Sequence, residues 1–491
     1  MTKLLVSLLL LAAPAASAQL IALKTVPVAA GDQYLFAPSQ NLAMGGVHIA
    51  LDDPLLDPFV NPAMASRVTA SQVFALPTFY SVSQHAGNGK TLSAGALFGG
   101  RRAFGGMLLA LQQISGGDLF FGPIPLREVA SPTSVFLPPD ALSERSATNK
   151  YAYLTLGTTL PGGVAVGASA LLSDLNAVDG VEHLYAMAAD IDQSGHDVDL
   201  RLGALKELPR GSLELLLLHR RYDVRHDVTY LDWVLDSTDF TWEQQVRLER
   251  NDDRTNTSGA HLRYVRALGE GGWRLGGIFT ANRKSHPRIP NYELVNIPRD
   301  PGHSTAFDFG IGLARTAGIA TFGMDIVYEP AWSDTWAEAA TPVPTAGGDT
   351  IPVGGRTVEN DFTFSNAAVN LGVGVTQGVA TFQLGVSVRA YDYDLEQADL
   401  VAGTFRRQSE QWMEWTPSWG LRVDLPGVAV RYLGRVTTGT GRPGVAWTGA
   451  VPGRAEDFAA ANDIVAAPSG PLTLQDVSVV THQFSVSVPI R

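Results

Sequence analysis

From about Ser66 to its end, the chain alternates with a period of two. In "TFQLGVSVR", Phe382, Leu384, Val386 and Val388 fall on one side, and Gln383, Gly385, Ser387 and Arg389 on the other. The same beat runs through Phe307, Phe309, Ile311 and Leu313 against Asp308, Gly310 and Gly312. It returns in Phe322, Met324 and Ile326, in Val369, Leu371, Val373 and Val375, and in the terminal "HQFSVSVPIR". Such alternation marks strands with one apolar and one polar face. Many of these runs are ten residues or longer, so the chain has to build sheet on a large scale.

The connections between runs come in two kinds. One set is tight and rich in glycine or proline: "FGGRRAFG" at 98–105, "LPGG" at 160–163, "LPRGS" at 208–212, "LGEGGW" at 268–273, "RTAGIA" at 315–320, "TQGVA" at 376–380 and "DLPGVA" at 424–429. These are hairpin signals. The other set reads as long and polar: 115–148, 176–196, 229–253, 284–303, 331–362, 396–410 and 438–476. Short and long connections alternate, which is the arrangement of a transmembrane β-barrel with short periplasmic turns and longer outer loops. Seven tight turns, a strand before them at about 69–80 and one after at about 477–491 give sixteen strands. The expected fold is all-β: a transmembrane antiparallel β-barrel of fourteen to sixteen strands, with an N-terminal segment in its lumen. A propeller would need a blade motif, a β-helix a short fixed repeat, and a sandwich would not need one-sided loop lengths.

The start of the chain is a targeting signal. Lys3 gives a short positive region, Leu4 to Leu11 an apolar one, and Ala16-Ser17-Ala18 a cleavage site. The expected division is a signal peptide at 1–18, an N-terminal hatch or plug at 19–68 and the barrel at 69–491. This implies export to the cell outer membrane of a Gram-negative envelope, crossed many times by β-strands. No later stretch reaches the ~18 apolar residues of a membrane helix. There is no cysteine, so thiolate metal sites, cysteine nucleophiles and a lipid-anchored cysteine are excluded. A net charge of −12 argues against nucleic acid as a partner. HExxH, GxSxG and phosphate-binding glycine loops are absent, so no enzyme, cofactor or resident metal is expected. His219, Asp223, His226 and Asp227 cluster in "HRRYDVRHD", but only 219, 223 and 227 would share a face, as at a solvated strand end. Asp252-Asp253 and Asp392/Asp394 lack the spacing of a calcium loop.

Residues 19–68 do not alternate. "LAMGGVHIALDDPLLDPFVNPAMAS" at 42–66 resembles the N-terminal region of FadL-type fatty-acid transporters and of the related PorV-like outer-membrane proteins, on Met44, Gly45, Gly46, Asp52, Asp53, Asn61, Pro62 and Ala63. The resemblance implies a hatch folded into the barrel that blocks free passage, and it implies fourteen strands where the turns here give sixteen. It leaves two functions open. One is a transporter or channel for small hydrophobic, fatty-acid-like molecules. The other is a PorV-like barrel that docks secreted proteins of a secretion system. An open general porin is a further alternative.

Charges opposite an apolar stripe have to face the lumen, because a charge at the bilayer midplane costs roughly 2–4 kcal/mol. That places Arg201, Arg263, Arg274, Asp308, Asp325, Arg389, Arg422 and Arg431 inside, together with Asp199, Glu214 and Asp424. They are candidates for a lumenal ion-pair network, or for binding an anion in transit. Asp52 or Asp53 is expected to pair with a lumenal arginine, or else to bond locally in a turn. Asn61-Pro62-Ala63 is expected near the periplasmic mouth and Met44-Gly45-Gly46 deeper in. Tyr328, Trp332, Tyr391, Tyr393, Trp412, Trp415 and Trp419 are expected to form an interfacial girdle against the outer-membrane lipid.

Overall fold

The computed structural model of the chain describes residues 20–100, 102–116, 146–181, 188–235, 242–285, 301–339, 341–443, 464–467 and 470–490. The signal sequence and much of the expected loops 115–148 and 284–303 lie outside the described residues. Sheet dominates. The strands are β1 (Gln72–Val82), β2 (Gly87–Phe98), β3 (Phe104–Gly116), β4 (Ser146–Leu160), β5 (Val164–Leu175), β6 (Ala188–Leu208), β7 (Gly211–Leu235), β8 (Trp242–Leu268), β9 (Trp273–Ser285), β10 (Gly302–Ala317) and β11 (Ala320–Glu338). After a two-strand loop hairpin, β12 (Val343–Pro344) and β13 (Thr350–Ile351), come β14 (Arg356–Gln377), β15 (Ala380–Asp399), β16 (Thr404–Leu425) and β17 (Val428–Pro443). A short β18 (Ile464–Ala467) then leads into β19 (Gly470–Pro489).

Each long strand pairs antiparallel with its neighbours in sequence, and β1 pairs with β19 from Gln72↔Pro489 to Val82↔Val479. That last pairing closes the sheet. Leaving out β12, β13 and β18, sixteen strands form the barrel. Closure removes the open edges that would otherwise expose unpaired backbone. The alternation sorts the side chains. Leu202, Ile311 and Leu384 are 61–62% exposed on the outside, while Ser93, Gln112 and Thr155 are fully covered on the inside. Val388 keeps the outward parity but is covered by Val369, Val386 and Ala390. An even strand number, antiparallel neighbours and an apolar outer surface together are the architecture of an outer-membrane barrel.

All seven tight turns fall where the sequence places them, but several of the expected long loops are strand. β7 and β8 run on to Leu235 and back from Trp242, through most of 229–253. β15 and β16 are joined by four residues, 400–403, so 396–410 is a tight hairpin and not a long loop. Beyond the membrane both faces of a strand meet water. The period-two signal is lost there, while backbone pairing continues under charged cross-strand pairs such as Arg250–Asp227 and Arg407–Glu396.

The aromatic girdle is also only part of what the sequence suggested. Tyr328, Trp332, Trp415 and Trp419 face outward and are exposed. Tyr391 and Tyr393 face inward and are buried, and Trp412 packs beside them. Tyr391 and Tyr393 share parity with Arg389, and Trp412 with buried Glu414, so the same alternation that makes the outer stripe turns these rings into the lumen.

Candidate functional site

Residues 20–68 lie within the ring of strands, against inward groups from almost every side. Three short turns organise them: a 3-10 turn at Leu42–Met44, a single α-turn at Asp57–Val60, and a 3-10 helix at Pro62–Arg67. Asn61 caps the last of these, its Oδ1 accepting from the Ala63 N–H at 3.1 Å, with Pro62 in the first turn where a missing N–H costs nothing. Asp53 holds the segment's own fold. Its Oδ2 accepts from Ser39 Oγ at 2.6 Å and from the N–H groups of Gln40 and Asn41 at 2.7 and 3.0 Å. Its Oδ1 accepts from the N–H groups of Leu55 and Leu56, both at 3.1 Å.

Asp52 points the other way, into a cluster of arginines. It pairs with Arg274 at 2.8 Å, and with Arg263 and Arg67 at 3.0 Å. Burial acts to raise its carboxyl, but Arg263, Arg67 and Arg274 outweigh this and hold it down to about 2. Arg263 is buried and fully engaged: Glu214 at 2.7 Å, and the carbonyls of Ile49 and Leu51 at 3.0 and 3.1 Å. Arg67 also reaches Glu207 at 2.7 Å. Asp325 accepts from the N–H groups of His48 and Ile49 at 2.7 and 3.1 Å.

Met44-Gly45-Gly46 touches the wall directly. Gly45 and Gly46 have φ of +70° and +73°, a region that favours glycine. A Cβ on wall residue Gly385 would sit 1.9 Å from the Gly45 nitrogen, and one on Gly372 would sit 2.1 Å from the Met44 carbonyl oxygen. Gly203 and Gly167 meet Asn61 and Pro62 in the same way, and Gly276, Gly310 and Gly312 meet Ile49. These inward glycines are the footprint of the segment. Gly203 and Gly372 each lie five residues from a short turn, so the Asn-Pro-Ala and Met-Gly-Gly stretches sit at a similar level, and the second is not deeper. The part that reaches toward the long-loop end is the start of the segment. There Ile21 and Leu23 pack on Phe362, Phe364, Tyr393 and Leu395.

The other inward charges are placed as follows. Arg201 pairs with Asp199 at 2.7 Å and donates to the Val60 carbonyl at 2.9 Å. Arg389 pairs with Glu329 at 2.6 Å. Arg422 bonds Asp424 at 2.7 Å and the Gln40 side chain. Arg431 donates to Ser487 Oγ at 2.8 Å. Asp308 is buried on the wall of a cavity. Three further pairs were not singled out from the sequence: Lys24–Glu414 at 2.6 Å, Arg220–Asp197 at 2.7 Å and Arg435–Asp32. Their strand members share the parity of the inward set, while Lys24 and Asp32 carry no periodic signal that could have revealed them.

Among the described residues, several cavities remain between segment and wall, two of them of similar size. One, about 230 Å³, is the more polar of the two, with Lys24, His48, Asp308, Glu329, Arg389 and Glu414 on its lining beside apolar Ile21, Ile278 and Val327. The other, about 210 Å³, is walled by Tyr34, Phe36, Phe59, Tyr153 and Leu171, with Arg201 and Arg220 at its side. They share Leu20, Asp32, Leu42 and Arg435, and so adjoin. The expected histidine–aspartate cluster resolves into ordinary pairs, with Asp223 held by Arg221 and Arg254 and His219 by Ser258.

No protein-family model matches the chain, and no curated protein does. Among solved structures it is similar to a FadL homologue from Pseudomonas aeruginosa, at 11% identity and a TM-score of 0.42 over 94% of this chain and 99% of that one. It is similar to the toluene transporter TodX from P. putida, at 11% identity and a TM-score of 0.34 over 92% and 98%. It is also similar to the CymD monoaromatic hydrocarbon channel, at 10% identity and a TM-score of 0.34 over 95% and 98%.

Proposed function

We propose that the chain is exported through a cleaved signal at 1–18. It then works in the outer membrane as a transporter or channel for small hydrophobic, fatty-acid-like molecules, with residues 19–68 as a hatch. The observation that carries this reading is the cavity between the segment and the wall, walled by Phe36, Phe59, Tyr153 and Leu171, with Arg201 and Arg220 at its side, each paired with an aspartate, Asp199 and Asp197. An apolar body with a polar end fits such a lining, where a few placed polar groups orient a mostly apolar ligand. A sixteen-stranded barrel is wide enough to leave an aqueous channel unless chain fills it, and about fifty residues fold into this one. Deleting residues 24–64 while keeping the signal is expected to leave a folded barrel with much higher single-channel conductance in planar bilayers. High conductance in both forms would make the protein an open porin. Closed behaviour in both would move the obstruction to the outer loops and sink the hatch.

A further inference from the structure

The outer wall of β2–β8 carries a feature that passage through the lumen does not use. Leu92, Leu109, Leu111 and Leu172 line an outward groove, and each is more than half exposed. At its long-loop end the groove is bordered by Lys150, Asp174 and His196. Directly across the strands from these stand Asp223 and Arg254, in the unbroken register Lys150↔Asp174↔His196↔Asp223↔Arg254. Arg221 and Arg225 flank that row on the same face.

The carboxylates hold the cations in place. Lys150 reaches Asp174 at 2.5 Å, Arg221 and Arg254 reach Asp223 at 3.0 and 3.2 Å, and Arg225 reaches Asp252 at 3.4 Å. Arg254 also has its Nη2 3.9 Å from Asp252, and Arg221 and Arg254 stay 64% and 62% exposed around these contacts. A guanidinium offers five donors in a fork that matches phosphate.

We propose that this wall is a binding site for a phosphorylated, acylated lipid of the outer leaflet. Its acyl chains lie in the leucine groove, and its phosphates bridge Lys150, Arg221 and Arg254. Two features select this occupant. The groove faces the bilayer rather than the lumen, and the cations begin where the apolar band ends, which is the headgroup level. Arginines at that level attract anionic headgroups.

The test uses the full-length protein purified in mild detergent. Native mass spectrometry would measure retention of a bisphosphorylated, multiply acylated glycolipid against its dephosphorylated form. Arg221→Gln/Arg254→Gln is expected to lower retention by roughly thirtyfold, each arginine contributing comparably. Arg356→Gln/Arg407→Gln makes the same charge change at exposed pairs on β14 and β16, and is expected to leave retention unchanged. Millimolar inorganic phosphate is expected not to displace the lipid. Equal retention by the two double variants, or of the dephosphorylated lipid, would overturn the site. So would displacement by phosphate alone, which would make it an anion site. A protein that needs no detergent would overturn the membrane reading on which the proposal rests.

Discussion

Two sectors of the lumen hold the N-terminal segment by different chemistry. Against β1–β6 aromatic and other apolar packing dominates, beside polar contacts such as Arg67–Glu207 and Arg201 to the Val60 carbonyl. Phe59 packs on Phe74 and Tyr153 with ring centroids 5.9 and 5.3 Å apart, Phe36 stacks on Tyr151 at 5.1 Å, and Met64 sits among Phe104, Ala165 and Leu205. Against β8–β17 ion pairs are added to the apolar packing of Ile21, Leu23 and Ile49: Asp52 with Arg263 and Arg274, Lys24 with Glu414, and Asp32 with Arg435. Burial of an aromatic face does not depend on pH or salt. A paired charge depends on both, and it is strongly destabilising to leave single. The apolar sector is therefore the fixed side of the segment. The ionic sector, which borders the more polar cavity, is the side where its hold can be changed.

The largest expected effect is steric. Gly385→Val places a Cβ 1.9 Å from the Gly45 backbone nitrogen, where neither chain can yield. The segment should leave its seat, and trypsin should then cut it in detergent while the barrel stays intact. An uncut segment would mean that the close approach at β15 is not required.

Arg263→Met and Phe59→Ala test the two sectors against each other. The first strips Asp52 and Glu214 of a buried partner, at about 4 kcal/mol. The second empties an aromatic seat, at about 3 kcal/mol. Hydrogen exchange should localise each loss, at 45–56 for Arg263→Met and at 34–37 and 56–64 for Phe59→Ala. Loss of protection along the whole segment in both variants would show that it moves as one body and would dissolve the comparison.

Acid should produce the smallest effect. The Asp52 carboxyl is held down to about 2 in the folded protein and lies near 3.8 when free. Its stabilisation is full above the free value and is lost as pH falls from about 4 toward 2, for about 2 kcal/mol. Burial pushes the Asp57 carboxyl well up despite nearby Arg263, so that group favours the folded form on acidification and offsets part of the loss. Exchange at 48–53 should rise over that window while exchange at Phe36 does not. A rise at both sites together would assign the acid response to the barrel itself.

The sequence made some parts of this molecule legible and hid others, for physical reasons. The strand cores and all seven tight turns could be read, because a barrel wall must alternate and its turns need glycine or proline. The strand ends could not, because a strand in water on both faces has no period: 396–410 looks like loop and is a hairpin. Tyr391, Tyr393 and Trp412 were readable by parity with Arg389 and Glu414, and were misplaced only because aromatics near loops suggest a girdle. The seat of the N-terminal segment was written in the wall, not in the segment. Gly203, Gly276, Gly310, Gly312, Gly372 and Gly385 occupy inward positions where polar side chains were equally allowed. Which glycine meets which segment residue depends on long-range packing that no local pattern encodes.

The length of β7 and β8 has a consequence for how the molecule meets its surroundings. They have 25 and 27 residues, whereas about ten are needed to cross a bilayer. The surplus, about fifteen residues at roughly 3.3 Å each, extends about 50 Å along the strand direction. Even leaning at the usual barrel tilt, this ribbon stands tens of ångströms clear of the lipid. It gives the barrel an uneven rim, tall at β6, β7 and β8, which have 21, 25 and 27 residues, and low at β1 and β2, which have 11 and 12 and are joined through 83–86. A molecule arriving from the long-loop side thus finds a sheltered flank and an unsheltered one before it reaches the lumen.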